Sequence, residues 1–466
     1  MRKNVYEIPK EDGMNVSGVV YASEKIFNEI KNDKAIEQVR NVAKLLGIVG
    51  NSIALADVHR GYGFCIGGVA AFDLKKGIVC PGGIGYDINC GVRLLKTNLT
   101  RNDFDGREKE IADAVQKKIP TGVGRGSPFQ VKRWELDLIL EGGAKYFVDK
   151  GYGTKDDLHF IEENGCMKEA DASSVSEKAK RRGIGQVGTL GAGNHFLDFL
   201  FVDEIFDEKT ARVFGLKKNQ VVILIHCGSR GLGHQVASDY IKKMEDEYGI
   251  ENLPDRELVY APINSALGKE YLSAMSAAAN FAFANKQLIT FWLREELSKY
   301  FPKIKVDVLY EVCHNIAKIE EYKIDGKKTK LCVHRKGATR SFGVGRKEIP
   351  DEYRKVGQPV LVPGSMGTAS YVLVGTKKSE ELTFGSSVHG AGRVLSRSVA
   401  VKSIKGNEVK KKLLKKKIIV KSGSDKLVAE ESPEAYKDVD EVVDVVDSLG
   451  ISKKVAKLQP FIVLIG

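Results

Sequence analysis

The feature that most constrains the fold is a pair of apolar runs that each end in a polar segment. The first, Val221-Val-Ile-Leu-Ile-His226, continues into Cys-Gly-Ser-Arg-Gly-Leu-Gly-His234, and the second is Val306-Asp-Val-Leu-Tyr-Glu-Val-Cys-His314. Short apolar runs rich in β-branched residues are typical of buried strands. His226 and His314 therefore lie where predicted strands end, a place where α/β proteins commonly build sites.

Helical patterns elsewhere predict a mixed α/β (α+β) protein. Apolar residues recur at helical spacing in residues 23–47, residues 101–182 have a mostly helical pattern, and residues 271–300 read as a largely buried helix. The lysine-rich residues 409–417 predict a solvated amphipathic helix. Because the chain shows no internal repeat and no obvious linker, we expect residues 1–466 to form a single large domain.

Composition narrows the class of protein. The chain has 73 basic and 61 acidic residues, a net charge of +12, which suits a polyanionic partner such as nucleic acid but does not require one. No apolar run approaches the ~18 residues that span a bilayer. Seven cysteines without tight pairing argue against a disulfide framework. We therefore expect a cytoplasmic protein with no membrane partner and with reduced thiols, one of which can serve as a metal ligand.

Five side chains are candidate metal ligands: Asp87, Cys90, His195, His226 and His314. Together they would suffice for two divalent ions if the sulfur bridges them, and the donor types suit Mn²⁺, Zn²⁺ or Fe²⁺ without choosing among these. The structural alternative is a turn aspartate beside a buried thiol, with histidines that are satisfied in the core. The sequence does not show whether these residues converge.

His389 is the candidate nucleophile. It lies in Phe384-Gly-Ser-Ser-Val-His-Gly-Ala-Gly-Arg393, where small neighbours leave the imidazole open to a bulky electrophile. A neutral imidazole is a competent nucleophile near neutral pH, although a structural loop histidine is the alternative. The segment Pro363-Gly-Ser-Met-Gly-Thr-Ala-Ser370 can offer backbone N–H groups to phosphate. Four basic side chains could neutralise phosphate charge: Arg393, Arg397, Arg230 and Lys336.

Taken together, these segments resemble the RtcB family of RNA-splicing ligases from Asp57 to Pro460. Eight strings in the family's order carry the resemblance: Asp57-Val-His-Arg-Gly-Tyr-Gly-Phe, Pro81-Gly-Gly-Ile-Gly-Tyr-Asp-Ile-Asn-Cys-Gly-Val-Arg, Gly188-Thr-Leu-Gly-Ala-Gly-Asn-His-Phe, His226-Cys-Gly-Ser-Arg-Gly-Leu-Gly-His-Gln, His314-Asn-Ile-Ala-Lys, Val333-His-Arg-Lys-Gly-Ala-Thr-Arg, Pro363-Gly-Ser-Met-Gly-Thr-Ala-Ser-Tyr and His389-Gly-Ala-Gly-Arg.

The resemblance implies one α/β domain with a deep basic cleft that holds two Mn²⁺ ions. Cys90 would bridge them, with Asp87 and His195 completing one site and His226 and His314 the other. His389 would attack GTP and carry GMP to an RNA 3′-phosphate, after which a 5′-hydroxyl would displace GMP. A 2′,3′-cyclic phosphate end would first be opened at the metals.

The resemblance also implies which residues contact the nucleotide: Asn194, Asp198, Asn315, Pro363, Gly364, Ser365, Met366, Gly367, Ser370, Gly390, Ala391, Gly392, Arg393 and Tyr436. The implied substrates are RNA ends of these types, including tRNA halves, in tRNA splicing or RNA repair. Archease, a small protein that promotes guanylylation, is an implied partner.

Two positions depart from the family's pattern, and both concern the guanine pocket. Asp198 stands where a glutamate is usual, and the final Leu464-Ile-Gly466 stands where the family ends in Lys-Gly. These departures suit a divergent paralogue with a repair role or an altered nucleotide preference. The alternative enzyme is a metal-dependent phosphodiesterase or phosphatase that processes RNA ends without a covalent nucleotide. A basic RNA-binding protein with structural histidines would explain the charge but not the glycine, cysteine and histidine strings.

Overall fold

The structure is a computed structural model that describes residues 3–122 and 126–466. Its helices, in chain order, are α1 Glu24–Ile30, α2 Lys34–Val42, α3 Glu108–Lys118, α4 Arg133–Gly142, α5 Ala144–Asp149, α6 Lys155–His159, α7 Glu177–Gly183, α8 Glu208–Phe214, α9 Arg230–Tyr248, α10 Ala266–Tyr300, α11 Lys377–Thr383, α12 Arg397–Ser403, α13 Gly406–Lys415, α14 Asp425–Glu430 and α15 Val439–Leu449. Its strands are β1 Val5–Ile8, β2 Gly18–Tyr21, β3 Ile48–His59, β4 Ile66–Asp73, β5 Ile78–Val79, β6 Gly91–Thr100, β7 Phe196–Ile205, β8 Gln220–Cys227, β9 Ala261–Pro262, β10 Val306–Cys313, β11 Asn315–Ile324, β12 Lys327–Lys336, β13 Ala338–Arg340, β14 Pro359–Val362, β15 Ser370–Gly375, β16 Ser386–Val388, β17 Ile419–Ser422 and β18 Ser452–Ile465.

Two large sheets organise the strands. The larger has the order β10-β6-β8-β7-β18-β15-β14, with neighbours antiparallel, and β17 joins it parallel to β18. The smaller has the order β1-β2-β3-β4-β12-β11 and is antiparallel except for β2 and β3. An antiparallel order places the start of each strand beside the end of its neighbour.

The larger sheet is covered on both faces, which explains why β8 is apolar without interruption. Val222 and Leu224 join a core that includes residues of β3, β4 and β12. Ile223 and Ile225 point to the opposite face and pack with apolar residues of α3 and α10. Each such side chain contributes roughly 1.5–3 kcal/mol when fully buried. The protein is thus a mixed α/β fold, as expected.

The structure also confirms the individual elements predicted from periodicity. Helices α1 and α2 lie within residues 23–47, and the predicted buried helix is α10, where the Ser265 hydroxyl accepts the Gly268 N–H at 3.0 Å. Helix α13 buries Val409 and Leu413 and exposes most of its lysines, so it is amphipathic. Among the described residues, no helix combines the length and apolar character needed to cross a bilayer.

Candidate active site

The predicted metal donors meet at one edge of the larger sheet. Cys90 and His195 immediately precede β6 and β7, whereas His226 lies near the end of β8 and His314 follows β10. Since these four strands are neighbours and antiparallel, two strand starts and two strand ends come together. Asp87 precedes Cys90 in a turn closed by a 2.9 Å hydrogen bond from the Cys90 N–H to the Asp87 carbonyl.

The Cys90 sulfur lies between donors from both directions of the chain. Candidate ligand atoms of Asp87, Cys90 and His195 all lie within 4.8 Å of one another. His195 Nε2 is 2.8 Å from Asp87 Oδ2 and 3.7 Å from Cys90 Sγ. His226 Nε2 is 3.2 Å from the same sulfur. One thiol therefore contacts two imidazoles, in a cluster where Cys90, His195 and His226 are at most 5% exposed.

The ring nitrogens of His195 contact two oxygens and one guanidinium. Nδ1 lies 3.1 Å from the Leu190 carbonyl oxygen and 3.1 Å from Arg230 Nη1, and Nε2 lies 2.8 Å from Asp87 Oδ2. Burial disfavours the imidazolium, but Cys227 and Asp87 outweigh that effect and hold the pKa of His195 well above its ordinary value. Burial, reinforced by Asp87, raises the pKa of the Cys90 thiol to about 11. A divalent ion binding here would have to displace protons from both groups.

The imidazoles of His226, His314 and His389 form a row that leads away from Cys90. The ring centroids of His226 and His314 are 5.4 Å apart and those of His314 and His389 are 5.3 Å apart. His314 Nδ1 hydrogen-bonds to Thr339 Oγ1 at 2.9 Å, whereas His314 Nε2 and His226 Nδ1 are buried without a partner among the described residues. Burial lowers the pKa of both histidines well below the ordinary value, so each offers a neutral imidazole lone pair.

Asp57 is the partner of His389, and it was not among the site residues predicted from the sequence. His389 Nδ1–H donates to Asp57 Oδ2 at 2.5 Å, and the backbone N–H of His389 donates to the same oxygen at 2.8 Å. Asp57 is fully buried in β3, while the His389 side chain is 18% exposed. The two bonds fix the ring and leave Nε2 as the ring nitrogen without a hydrogen bond to any described residue. The sign of this role in the sequence is that Asp57 places a carboxylate within an otherwise apolar run of β3.

Two glycines make room for this pair. Gly337 has a φ of +59°, and a Cβ there would lie 3.1 Å from His389 Cε1. Gly392 has a φ of +75°, and a Cβ there would lie 2.2 Å from the Asp57 carbonyl oxygen. Any larger residue at either position would be strained in the backbone and would push against the pair.

A cavity of about 850 Å³ opens beside His389 and His226. Its volume falls in the range of small-molecule and cofactor sites. Eleven of the residues predicted to contact a nucleotide line it: Asn194, Asp198, Pro363, Gly364, Ser365, Met366, Gly390, Ala391, Gly392, Arg393 and Tyr436.

Three other predicted contacts, Asn315, Gly367 and Ser370, are not part of the cavity lining. Asn315 connects two loops: its Nδ2 donates to the Asp87 carbonyl at 3.0 Å, and its Oδ1 accepts the Gly337 N–H at 2.9 Å. The Ser370 hydroxyl accepts the Gly364 N–H at 3.0 Å, which shapes the 363–370 loop from behind.

The candidate phosphate-binding cations differ in their availability. Arg393 lines the cavity, but its guanidinium donates to Glu431 Oε2 at 3.1 Å and to the Tyr436 hydroxyl at 3.0 Å. Lys336 is buried and donates to two backbone carbonyls, and Arg230 is also buried. Arg397 also lines the cavity, and although its Nε lies 3.2 Å from Glu430 Oε1, its side chain is 54% exposed, which is the most of the four predicted cations.

Asp198 is the unusual polar group of the cavity wall. It is 7% exposed, and its Oδ1 has no hydrogen-bond partner among the described residues. Phe196, Val463 and Ile465 line the same cavity, and burial raises the pKa of the Asp198 carboxyl well above its ordinary value. Asp198 therefore favours the protonated carboxyl, which can both donate and accept a hydrogen bond.

The fold and the site define a mixed α/β protein with a carboxylate-anchored histidine on a nucleotide-sized cavity, beside a buried cluster of metal-donor side chains. A family profile described as tRNA-splicing ligase RtcB matches residues 38–466, and the chain belongs to this family.

Full-length relatives agree with the profile. The chain is 51% identical over 463 residues to the tRNA-splicing ligase RtcB of Thermococcus kodakarensis, covering 98% of this chain and 96% of that protein. It is 50% identical to the Methanococcus maripaludis protein of the same name, covering 100% and 98% of the two chains. Identity is 44% to RNA-splicing ligase RtcB homolog 1 of Entamoeba dispar, covering 98% and 88%.

Proposed function

We propose that this protein is an RNA ligase that uses GTP and Mn²⁺ to join an RNA 3′-phosphate or 2′,3′-cyclic phosphate end to a 5′-hydroxyl end. The observation that carries the proposal is the buried Asp57–His389 pair at the wall of a nucleotide-sized cavity, next to the Cys90 cluster. The printed names of the relatives, tRNA-splicing ligases, support RNA as the substrate class.

In the proposed reaction, His389 Nε2 forms a bond to the α-phosphorus of GTP while the bond to pyrophosphate breaks. The ring becomes positively charged as it attacks, and Asp57, which accepts its Nδ1–H, balances that charge. The guanylyl group then passes to an oxygen of the RNA 3′-phosphate and releases His389. Attack of the 5′-hydroxyl on the activated phosphate expels GMP and forms the phosphodiester.

We propose that these side chains hold two ions. Asp87 and His195 would hold one ion, His226 and His314 the other, and Cys90 would contribute to both. Three imidazoles, a thiol and a carboxylate suit Mn²⁺, Zn²⁺ or Fe²⁺, and the buried Nε2 of His314, which has no hydrogen-bond partner among the described residues, supports a role as a donor. Bound ions would supply Lewis-acid stabilisation of phosphate charge and a template for the triphosphate.

The cavity residues would divide between phosphate and base. Asn194 and the backbone of residues 363–367 would contact the phosphates, and Asp198 and Tyr436 would line the guanosine. Because the Asp198 carboxyl is buried among apolar neighbours, it presents one donor and one acceptor in place of a carboxylate's two acceptors. This change in hydrogen-bonding pattern bears on the preference for guanine over adenine, which parallel incubations with GTP and ATP measure.

The proposed cellular role is joining of tRNA halves or repair of cleaved RNA in the cytoplasm. Archease is the proposed partner in guanylylation, and we propose that residues 1–466 act as one domain.

Intact mass spectrometry after incubation with GTP and Mn²⁺ tests the covalent step. We expect a GMP adduct on the wild type and on a His159→Ala control, since His159 is a surface residue bonded to Glu352, and none on His389→Ala. An AMP adduct in a parallel ATP incubation would identify a changed base preference. If neither nucleotide attaches with Mn²⁺ bound and archease present, the proposal fails, and hydrolytic processing of RNA ends becomes the better explanation.

A further inference from the structure

Three aromatic rings form an exposed ledge beside the metal-donor cluster. The rings of Tyr86 and His234 are stacked with centroids 5.9 Å apart and an interplanar angle of 25°. Tyr62 stands at 90° to Tyr86 with centroids 6.3 Å apart, so the rings of Tyr62 and Tyr86 form a corner. Tyr62 is 64% exposed and His234 is also exposed, whereas Tyr86 between them is half-buried. We call Tyr62, Tyr86 and His234 the aromatic ledge.

The backbone under the ledge is anchored by close contacts, although the rings of Tyr62 and His234 are exposed. The buried ammonium of Lys336 donates to the carbonyl of Tyr62 and, at 2.9 Å, to that of Gly82, which ties two loops together. Gly63 has a φ of +68° and packs so closely that a Cβ would lie 2.7 Å from the Glu257 carbonyl oxygen. A large aromatic side chain fixed in an exposed position is typical of a binding surface.

The ledge is continuous with the proposed reaction centre. Tyr86 immediately precedes the candidate ligand Asp87, and Tyr62 lines the cavity that contains His389. Exposed Arg60 lies two residues before Tyr62 and lines the same cavity. Glu257 also lies near Tyr86, so stacking rather than charge would supply most of the attraction at the ledge. Flat rings of this kind bind the bases of single-stranded RNA with little sequence preference.

We infer that the aromatic ledge stacks the nucleobase of the RNA 3′-terminal nucleotide and so delivers its phosphate to the metal-donor cluster. This inference rests on the proposed function for the chemistry of that end. The 3′ end is favoured over the 5′ end because it carries the phosphate that needs a cationic site, and Asp87 adjoins the ledge.

The test compares RNA affinity after removal of the aromatic ledge, of the 3′-terminal base, or of both. All variants carry His389→Ala so that no turnover occurs. A fluorescent single-stranded RNA with a 3′-phosphate is compared with the same RNA carrying an abasic 3′-terminal nucleotide, by anisotropy in the presence of Mn²⁺. Removing the base should weaken binding about five- to a hundredfold, the range found for a stacked base. Tyr62→Ala combined with Tyr86→Leu should reduce that penalty to about twofold or less.

Tyr248→Ala is the matched control because Tyr248 is an exposed aromatic residue at the far end of α9, and it should keep the full penalty. An equal abasic penalty with and without the ledge, or a penalty found only for an abasic 5′-terminal nucleotide, would overturn the inference. The affinity measurement needs no GTP. If no GMP adduct forms on His389, the proposed ligase chemistry fails, but the effect of the ledge on RNA affinity can still be measured.

Discussion

Replacing Asp57 with asparagine should separate the charge of the Asp57–His389 pair from its geometry. Asparagine has nearly the same shape, and its side-chain oxygen can still accept the two hydrogen bonds that Asp57 Oδ2 receives from His389. The other carboxylate oxygen, Oδ1, has no partner among the described residues, so no second contact is broken. The substitution therefore removes mainly the negative charge beside the ring.

The expected loss follows from that charge. When His389 attacks a phosphorus atom, its ring gains about one unit of positive charge, about 4 Å from the centre of a carboxylate. Coulomb attraction at that distance amounts to about 4 kcal/mol at an effective dielectric constant of 20. Asp57 is fully buried, so solvent screens the pair little. Since each 1.36 kcal/mol is a factor of ten in rate, guanylylation should slow about a thousandfold.

The assay is single-turnover formation of the radiolabelled GMP adduct at saturating GTP and Mn²⁺. Asp73→Asn, on the neighbouring strand β4, is the control and should react at the wild-type rate. Bound Mn²⁺ and the melting temperature are measured for both variants, because loss of metal or of folding would also slow the reaction. A rate for Asp57→Asn within about threefold of wild type, with metal retained, would refute the proposed charge balance.

Three further predictions concern the metal cluster, the cavity wall and the buried core. Calorimetry should show Mn²⁺ binding at least tenfold weaker in Cys90→Ser and unchanged in the control Cys166→Ser, and unchanged affinity in Cys90→Ser would exclude the sulfur as a ligand. The affinity of the wild type should rise with pH, because metal binding displaces protons. Asp198→Asn should raise the free energy of unfolding at pH 7, because the native carboxyl stays protonated while the carboxyl of the unfolded chain ionises. The gain should vanish at about pH 4, near the pKa of the unfolded carboxyl, and urea titrations that give the same gain at pH 7 and at about pH 4 would contradict this. Arg93→Met should lower the free energy of unfolding in urea by about 3 kcal/mol, because Glu311, 2.6 Å from Arg93 Nε and fully buried, loses that partner and keeps only Lys286. A loss below about 1 kcal/mol would argue against a charge effect.

The sequence predicted what depends on local pattern. Apolar runs predicted strands β8 and β10 with their terminal histidines, and helical spacing predicted α10, because burial imposes a period of two or of 3.6 on the residues themselves. It could not show that β6 lies between β8 and β10, since apolar alternation defines a strand without naming its neighbours. Convergence of Cys90 with His226 depends on that strand order and became visible only in the fold.

Asp57 and His389 show the same limit more sharply. Their side chains are joined by a 2.5 Å hydrogen bond, yet they are 332 residues apart in sequence. Each had a local sign, a carboxylate in an apolar strand and a histidine among glycines, but no local rule joins two such signs. Asn315 shows a further limit: the fold reveals that it holds the loops of Asp87 and Gly337, which no local pattern indicates, while its contact with a nucleotide stays a prediction.

Helix α10 explains how donors from different strands are kept in register. The ammonium of Lys286, fully buried on this helix, donates to the carbonyl of Asn89 at 3.3 Å and to that of Cys227 at 3.2 Å. These carbonyls belong to the residues next to Cys90 and His226, and the same ammonium lies 3.0 Å from Glu311 of β10. One buried charge thus contacts segments leading to three of the five candidate ligands. A buried ammonium is costly unless all its hydrogen-bond and ion-pair partners are in place. The native arrangement of the three segments therefore stabilises the charge of Lys286, and Lys286 in turn holds the segments together. The helix that the sequence marked only as buried thereby couples packing of the core to the geometry of the site.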